Sequence, residues 1–438
     1  MVEIVKPVDS DAPLNTLPSL SGALPAWGKI AALSFGGPAG QISVMHKELV
    51  EDRRWISHDR FMHALNFCML LPGPEAMQLA AYCGWMMHGI RGGLIAGTLF
   101  ILPGLLSIMA LSIAYASYGN MGWMQGLFFG MKAAVLAIVL SALIRIGGKA
   151  LGSFAAKLIA AAGFAALALF AAPFPLVVIA AAIAGYLWLK KAPAQLGDDQ
   201  VERTSTRRAS ILIALLWAGT LGLLLLSTGM KSVWSDIALF FSQLAVLTFG
   251  GAYAVLAWVG QVAVTGKSWL APGEMLDGLG MAESTPGPLV IVLQFVGFMA
   301  AYRNPGGLDP ILAGILGGLL TSWVTFLPCF LWIFIGAPHI ERLRGNAALS
   351  AALAGVTAAV VGVIANLALW FALHFLFKTN YMVQSGLFQM NLPDIASFNG
   401  GAAILSVIAA YLLLYLKWGL FRVMTVSLGL GVLMTFMG

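Results

Sequence analysis

Leu71-Pro72-Gly73-Pro74-Glu75-Ala76-Met77-Gln78 and, 214 residues later, Thr285-Pro286-Gly287-Pro288-Leu289-Val290-Ile291-Val292 decide the fold of this chain. In Pro-Gly-Pro the first proline ends the preceding helical turn, the glycine admits dihedrals closed to other residues, and the second proline suits a first helical position. Each stretch therefore breaks an apolar segment in two, and Glu75 and Leu289 are expected to begin half-helices.

The same shift of 214 takes Phe35-Gly36-Gly37 to Phe249-Gly250-Gly251, Trp55 to Trp269, Leu65 to Leu279, and Gly92-Gly93 to Gly306-Gly307, without a gap. Further along the shift is 225, where Leu102-Pro103 meets Leu327-Pro328 and Gly130-x-x-Ala133-Ala134-Val135 meets Gly355-x-x-Ala358-Ala359-Val360. The chain is thus a tandem duplication, with broken segments at matching places in both halves. That arrangement is the sequence pointer to a transporter with its site at the breaks.

Composition agrees. Of 438 residues 60% are hydrophobic and 10% charged, far from the roughly half apolar and quarter charged of soluble domains. Mean hydropathy is +0.90. Fifty glycines and 19 prolines fit close helix packing and deliberate helix breaks. The expected fold is an all-α polytopic membrane protein, a tandem and inverted repeat broken at its FGG and PGP motifs. A cytoplasmic tail (1–24) precedes the first repeat (25–190). A basic linker with a connecting span (191–234) leads to the second repeat (235–438). Cys68, Cys83 and Cys329 lie in apolar segments without C-x-x-C spacing and read as core residues. The N-terminus has no basic region followed by an apolar core, so no cleaved signal is expected.

Nine runs reach the length of a bilayer span: 92–118, 122–146, 152–171, 174–189, 210–228, 309–336, 350–377, 400–416 and 419–437. If the four broken segments each enter the membrane and return, five crossings separate the repeats and the second is inverted. Lys47/Arg53/Arg54/Arg60, Arg145/Lys149, Lys190/Lys191/Arg203/Arg207/Arg208, Arg342/Arg344 and Lys417/Arg422 then share one face, leaving Lys231, Lys267, Arg303 and Lys378 on the other. By the positive-inside rule the crowded face is cytoplasmic. The net charge of +6 is thereby mainly a signal of orientation.

The breaks suit oxyanion chemistry. N–H groups at half-helix starts offer donors and partial positive charge without a fixed cation that would trap the ligand. The expected substrate-binding set is Phe35, Gly36, Gly37, Pro72, Gly73, Pro74, Glu75, Gln78, Lys132, Phe249, Gly250, Gly251, Ser284, Thr285, Pro286, Gly287 and Pro288. Glu75 is either a protonatable coupling group or a carboxylate satisfying the dipole at its helix start; its counterpart Leu289 makes any such role asymmetric. Glu283 is a second apolar-flanked carboxylate. Lys132, whose repeat counterpart is Thr357, either neutralises an anion, pairs with Glu75, or snorkels. Arg53 and Arg54 are an entrance for anions or a topology determinant. Gln78, Gln294, Ser284 and Thr285 are neutral donors, and Trp55 and Trp269 are interface anchors.

The runs Ser34-Phe35-Gly36-Gly37-Pro38, Arg53-Arg54-Trp55 and Leu71-Pro72-Gly73-Pro74-Glu75-x-x-Gln78-Leu79-Ala80 resemble the N-terminal half of chromate ion transporter (CHR) family proteins. Thr248-Phe249-Gly250-Gly251-x-Tyr253, Thr285-Pro286-Gly287-Pro288-Leu289 and Phe326-Leu327-Pro328 resemble the C-terminal half. Phe67-Cys68-Met69 and Ala252 depart from the usual family pattern, where glutamine and a third glycine are common. The resemblance implies a bacterial-type inner-membrane carrier that exports chromate and confers chromate resistance, with sulfate as competitor. Its partners are the substrate and the lipid bilayer, with room for a homodimer and no nucleic acid.

Rival readings are a sulfate or other tetrahedral-oxyanion carrier, an anion channel and a membrane-embedded enzyme. The six histidines show no metal spacing, and no Ser/His/Asp constellation or phosphate loop occurs, so no catalytic residue, metal or cofactor is expected.

Overall fold

A computed structural model describes residues 15–119, 121–189, 206–249, 252–336, 347–386 and 388–437. Gly250, Gly251, Lys190, Lys191, Arg203, Arg342, Arg344 and the first fourteen residues of the expected tail lie outside the described residues. The chain divides into two units, 1–113 with 196–251 and 281–343, and 114–195 with 252–280 and 344–438. Each draws on both sequence repeats, so neither repeat folds as a body of its own.

In the first unit, α1 (Leu20–Leu33) starts at Ser19, whose side chain accepts from the Gly22 N–H. The chain then breaks and re-enters helix as α2 (Gly37–His46), which continues as a π-helical turn, Lys47–Asp52. Lys29 Nζ and Glu48 Oε2 are 2.5 Å apart, so the chain reverses between them. α3 (His58–Cys68) is capped by Ser57 and runs to the first Pro-Gly-Pro. The rings of Phe67 and Tyr82 lie 5.5 Å apart on either side of that break, so the chain reverses there too.

α4 (Glu75–Tyr118) consists of two arms that fold back at His88 and Gly89, where the dihedrals leave the helical region. A Cβ on Gly84 would strike the Gly92 carbonyl, and the converse also holds. The arms thus close backbone to backbone because both positions lack a side chain. α8 (Arg207–Thr228), α9 (Val233–Leu247), a 3-10 turn (Leu289–Ile291) running into α12 (Val292–Arg303), and α13 (Pro310–Gly336) complete this unit.

The second unit holds α5 (Gly122–Ala150), α6 (Phe154–Phe170), α7 (Phe174–Trp188), α10 (Ala252–Gly260), most of α11 (Pro272–Ser284), α14 (Ala347–Leu376), α15 (Gly400–Ala410) and α16 (Leu420–Met437). Its packing repeats itself. Gly185 of α7 meets Gly355 of α14, and Gly431 of α16 meets Gly130 of α5, each pair at backbone contact. These pairs equate α6 and α7 with α15 and α16, 246 residues later.

The shift grows from 225 to 246 because a two-stranded antiparallel hairpin, β1 (Asn380–Ser385) and β2 (Phe388–Pro393), is inserted after α14. This is the departure from an all-helical chain. The hairpin borders a cavity of about 430 Å³ together with Trp258, Gln261, Asn366 and Trp370, and none of the expected site residues lines it.

All nine expected spans are helical among the described residues. Five helices have the length and apolarity to cross a bilayer: Glu75–Tyr118, Gly122–Ala150, Arg207–Thr228, Pro310–Gly336 and Ala347–Leu376. The helices at 154–170, 174–188, 400–415 and 420–436 are apolar but shorter than expected.

The π-helical turn Lys47–Asp52 recurs at Gln261–Gly266 and again at Tyr411–Tyr415. Each is followed by a left-handed residue (Arg54, Ser268, Lys417) and then a tryptophan, whose N–H returns to a carbonyl six residues back. Trp55, Trp269 and Trp418 thus mark one helix-ending device used three times. Trp269 is buried in the protein, so it is not the interface anchor expected from sequence.

Candidate functional site

The first unit brings the breaks of the two repeats together, crosswise. Gly73 N–H of the first Pro-Gly-Pro donates to the Thr248 carbonyl at 2.9 Å, and Gly287 N–H of the second donates to the Ser34 carbonyl at 2.9 Å. Residues 73 and 287 correspond under the repeat, as do 34 and 248, so the two bonds are images of each other. Ser34 Oγ bonds back to the Ile30 carbonyl at 2.6 Å, and Thr248 Oγ1 does likewise to Leu244. The symmetry extends to packing, because Cys329 lies against Gly73 while Gly104, its counterpart, lies against Pro286 and Gly287.

Only glycine suits the two loops. Gly73 has φ +119° and Gly287 φ +101°, a region that penalises any side chain. Gly36 and Gly37 also have positive φ, and Gly36 precedes α2 without a side-chain cap.

Three helices therefore begin at these breaks within one unit: α2 at Gly37, α4 at Glu75, and the turn at Leu289. The first bond within α4 is from Gln78 N–H to the Pro74 carbonyl, which leaves the N–H groups of Glu75, Ala76 and Met77 without an intrahelical acceptor. The N–H groups of Gly73 and Gly287, by contrast, are consumed by the crosswise bonds. Those two N–H groups are engaged within the protein, and the two residues shape the loops.

Two glutamines edge the same loops. Gln78 Nε2 donates to the Pro72 carbonyl at 2.7 Å, and Gln41 Nε2, from α2, donates to the Gly287 carbonyl at 2.5 Å. Both residues are buried, and Gln78 Oε1, Gln41 Oε1 and Thr325 Oγ1 have no hydrogen-bond partner among the described residues. Each amide nitrogen keeps a second N–H beyond the bond it makes. Buried polar atoms left unsatisfied are costly, so each of these calls for an explanation.

Other expected site residues are placed differently. Ser284 and Thr285 donate their hydroxyls back to the Met281 and Ala282 carbonyls, which ends α11. Gln294 Nε2 donates to the Leu105 carbonyl at 2.9 Å and its Oε1 accepts from Ser322, so it ties α12 to its neighbours. Arg53 is committed to Glu48 (Nε to Oε1, 2.7 Å) and lies 4.8 Å over the Trp55 ring, while Arg54 is exposed at the left-handed position. Phe35 and Phe249 each return their N–H to the residue two back, at Leu33 and Leu247. Lys132 belongs to the second unit, where its partner is Asp277 at 3.3 Å and not the Glu75 considered from sequence. Glu283 is buried and partnered.

Glu48 lies in the charged stretch outside the spans. Burial alone pushes its carboxyl up, but the hydrogen bonds and charges of Lys29 and Arg53 outweigh this and hold it below the usual range.

Sequence reasoning missed Gln41, Thr325, Asp277 and Tyr115. Gln41 had a signal, since it is a lone amide in the first turns after Gly36-Gly37 and its counterpart is Val255. In the same way Glu75 and Gln78 correspond to Leu289 and Val292, so the first repeat supplies the polar chemistry and the second supplies shape. Thr325 and Tyr115 gave no such signal within their apolar helices.

A family model described as chromate transporter matches residues 23–186 and 235–434, one match to each repeat. The chain is 31% identical over 364 residues to a probable chromate transport protein of Synechococcus elongatus, covering 82% of this chain and 86% of that protein. It is 32% identical over 359 residues to the chromate transport protein of Pseudomonas aeruginosa, covering 77% of each. With the chromate transport protein of Cupriavidus metallidurans it shares 29% over 342 residues, or 77% of this chain and 78% of the other. No solved structure matches.

Proposed function

From the premise that this chain belongs to the chromate transporter family, we propose that it carries chromate across the bacterial inner membrane in the outward direction, thereby conferring chromate resistance. The single observation that carries the reading is the crosswise pair of bonds, Gly73 to Thr248 and Gly287 to Ser34, which draws three helix starts into one unit. Chromate is a tetrahedral dianion. The free N–H groups of the first turn of α4 and the spare amide N–H groups of Gln41 and Gln78 supply donors, and the helix dipoles supply partial positive charge. Among the described residues no fixed cation is paired with these groups, which favours release as well as binding.

Glu75 stands where the anion would stand. In the empty carrier its carboxylate satisfies the start of α4, and an arriving oxyanion takes its place. Sulfate, equal in shape and charge, competes for the same donors. Arg53 is already shared with Glu48, so Arg54 is the better candidate for concentrating anions at the entrance.

The test is direct. Cells expressing the protein should accumulate less labelled chromate than controls, and everted membrane vesicles should take it up, with sulfate inhibiting. Equal accumulation with and without the protein, together with inert vesicles, would refute the reading.

A further inference from the structure

The second unit holds an ion pair whose carboxylate is buried and whose lysine side chain is 22% exposed. Lys132 Nζ of α5 lies 3.3 Å from Asp277 Oδ1 of α11, and Tyr115 OH donates to Asp277 Oδ2 at 3.1 Å. Asp277 is 3% exposed. Tyr115 is held by an edge-on contact with Phe128, their centroids 4.9 Å apart, and Lys132 Nζ rests against Gly273 in the first turn of α11. Among the described residues, the charged or titratable groups acting on Asp277 are Lys132 from α5, Tyr115 from the end of α4, and Glu274 on α11 itself. Glu274 turns its Oε2 to the Ala271 N–H at 2.7 Å.

Packing alone does not account for this arrangement. A buried ion pair gains little over apolar residues of similar size, because removing two charges from water offsets their attraction. Ionisable groups inside a membrane protein are retained chiefly where charge or protons move. The pair also has no image in the repeat: Asp277 corresponds to His63 and Lys132 to Thr357. It belongs to one copy and serves no need common to both halves.

We propose that Asp277 is the proton-carrying residue of the transport cycle, with Lys132 as its countercharge and Tyr115 fixing the carboxylate; this rests on the chromate-transport reading above. Without a proton, Asp277 and Lys132 neutralise each other. When water on the loading side gives a proton to the Asp277 carboxylate, the acid no longer balances the ammonium. The protein then carries one excess positive charge, and uptake of an anion becomes favourable. On the release side the acid returns its proton to water as the anion leaves, and the ion pair re-forms. One proton therefore travels with each dianion, in the same direction, and the complex moves one net negative charge instead of two. An inside-negative membrane potential still drives it outward.

The experiment uses purified protein in liposomes with labelled chromate outside at alkaline pH, where chromate is the dianion, and a pH-reporting dye inside. For the wild type, chromate uptake should acidify the interior in step with the label. For Asp277→Asn, counterflow of label should persist within about threefold of wild type while chromate-dependent acidification disappears. For Lys132→Met, the chromate concentration for half-maximal flux should rise about tenfold.

Acidification by Asp277→Asn equal to wild type would overturn the proposal, as would loss of counterflow in a variant whose melting curve is unchanged. Should Asp277→Asn fail to fold, Asp277→Glu replaces it, with a displaced pH optimum of flux expected and an unchanged optimum overturning the proposal. Absence of counterflow in the wild type would instead count against the transport function itself.

Discussion

Gly73 donates its N–H to the carbonyl of Thr248 at 2.9 Å, and Gly287 returns the same bond to Ser34. Each Pro-Gly-Pro loop is thus clamped through its backbone to the Phe-Gly-Gly break of the other repeat. Each Pro-Gly-Pro loop braces the break in the other repeat, so the half-helix starts of each copy lean on its twin.

The clamp predicts unequal effects at the two glycines. Alanine at either position must adopt a strained positive φ, at a cost of about 1–3 kcal/mol. At Gly73 the added methyl also meets Gln78 Nε2 at 3.0 Å and Cys329 Sγ at 3.1 Å, whereas at Gly287 the nearest atom is the Gly104 Cα at 3.5 Å. Gly73→Ala should therefore lower the melting temperature in detergent more than Gly287→Ala, and both should slow chromate flux.

Gln41→Val places in the first repeat the residue that occupies the same position in the second. It leaves the buried Gly287 carbonyl without its 2.5 Å donor, a loss of about 1–3 kcal/mol. A raised half-saturating chromate concentration should accompany the lower melting temperature. Normal affinity would show that Gln41 only braces the loop.

Glu75→Gln removes the carboxylate that competes for the α4 start. Affinity for chromate at neutral pH should rise, by up to about tenfold if a repulsion of about 1.4 kcal/mol is relieved. Flux measured across chromate concentrations checks this, and weaker apparent affinity would assign Glu75 a supporting role instead.

Glu48 gives the chain a pH response at its charged edge. Its carboxyl is held below the usual range by Lys29 and Arg53, so its contribution to stability is present at neutral pH and lost as pH falls through the lowered value. Lys29 is half exposed and Arg53 a third exposed, so breaking the network by Glu48→Gln should cost only about 1–3 kcal/mol. Melting curves from neutral to acid pH should converge for wild type and variant at the acid end.

Much of this was legible in the sequence, for physical reasons. Pro-Gly-Pro and Phe-Gly-Gly are backbone instructions, so the breaks, the duplication and the start of α4 at Glu75 could be read directly. The nine spans followed from apolar length. The hairpin at 380–393 was not legible, because an insertion between two apolar runs looks like an ordinary loop. The partners of the charged groups were also hidden. Lys132 was seen as an intramembrane cation, but its pairing with Asp277 depends on how α5 and α11 meet, and no local pattern encodes that. The glycine N–H groups at 73 and 287 looked like ligand donors, yet the fold spends them on the clamp.

The most direct test is counterflow of labelled chromate by the purified protein in liposomes, with unlabelled chromate or sulfate inside. The account predicts saturable uptake that is accelerated by substrate on the far side and inhibited by external sulfate. Flux that rises linearly with concentration and ignores the far side, or no flux at all from folded protein, would contradict it.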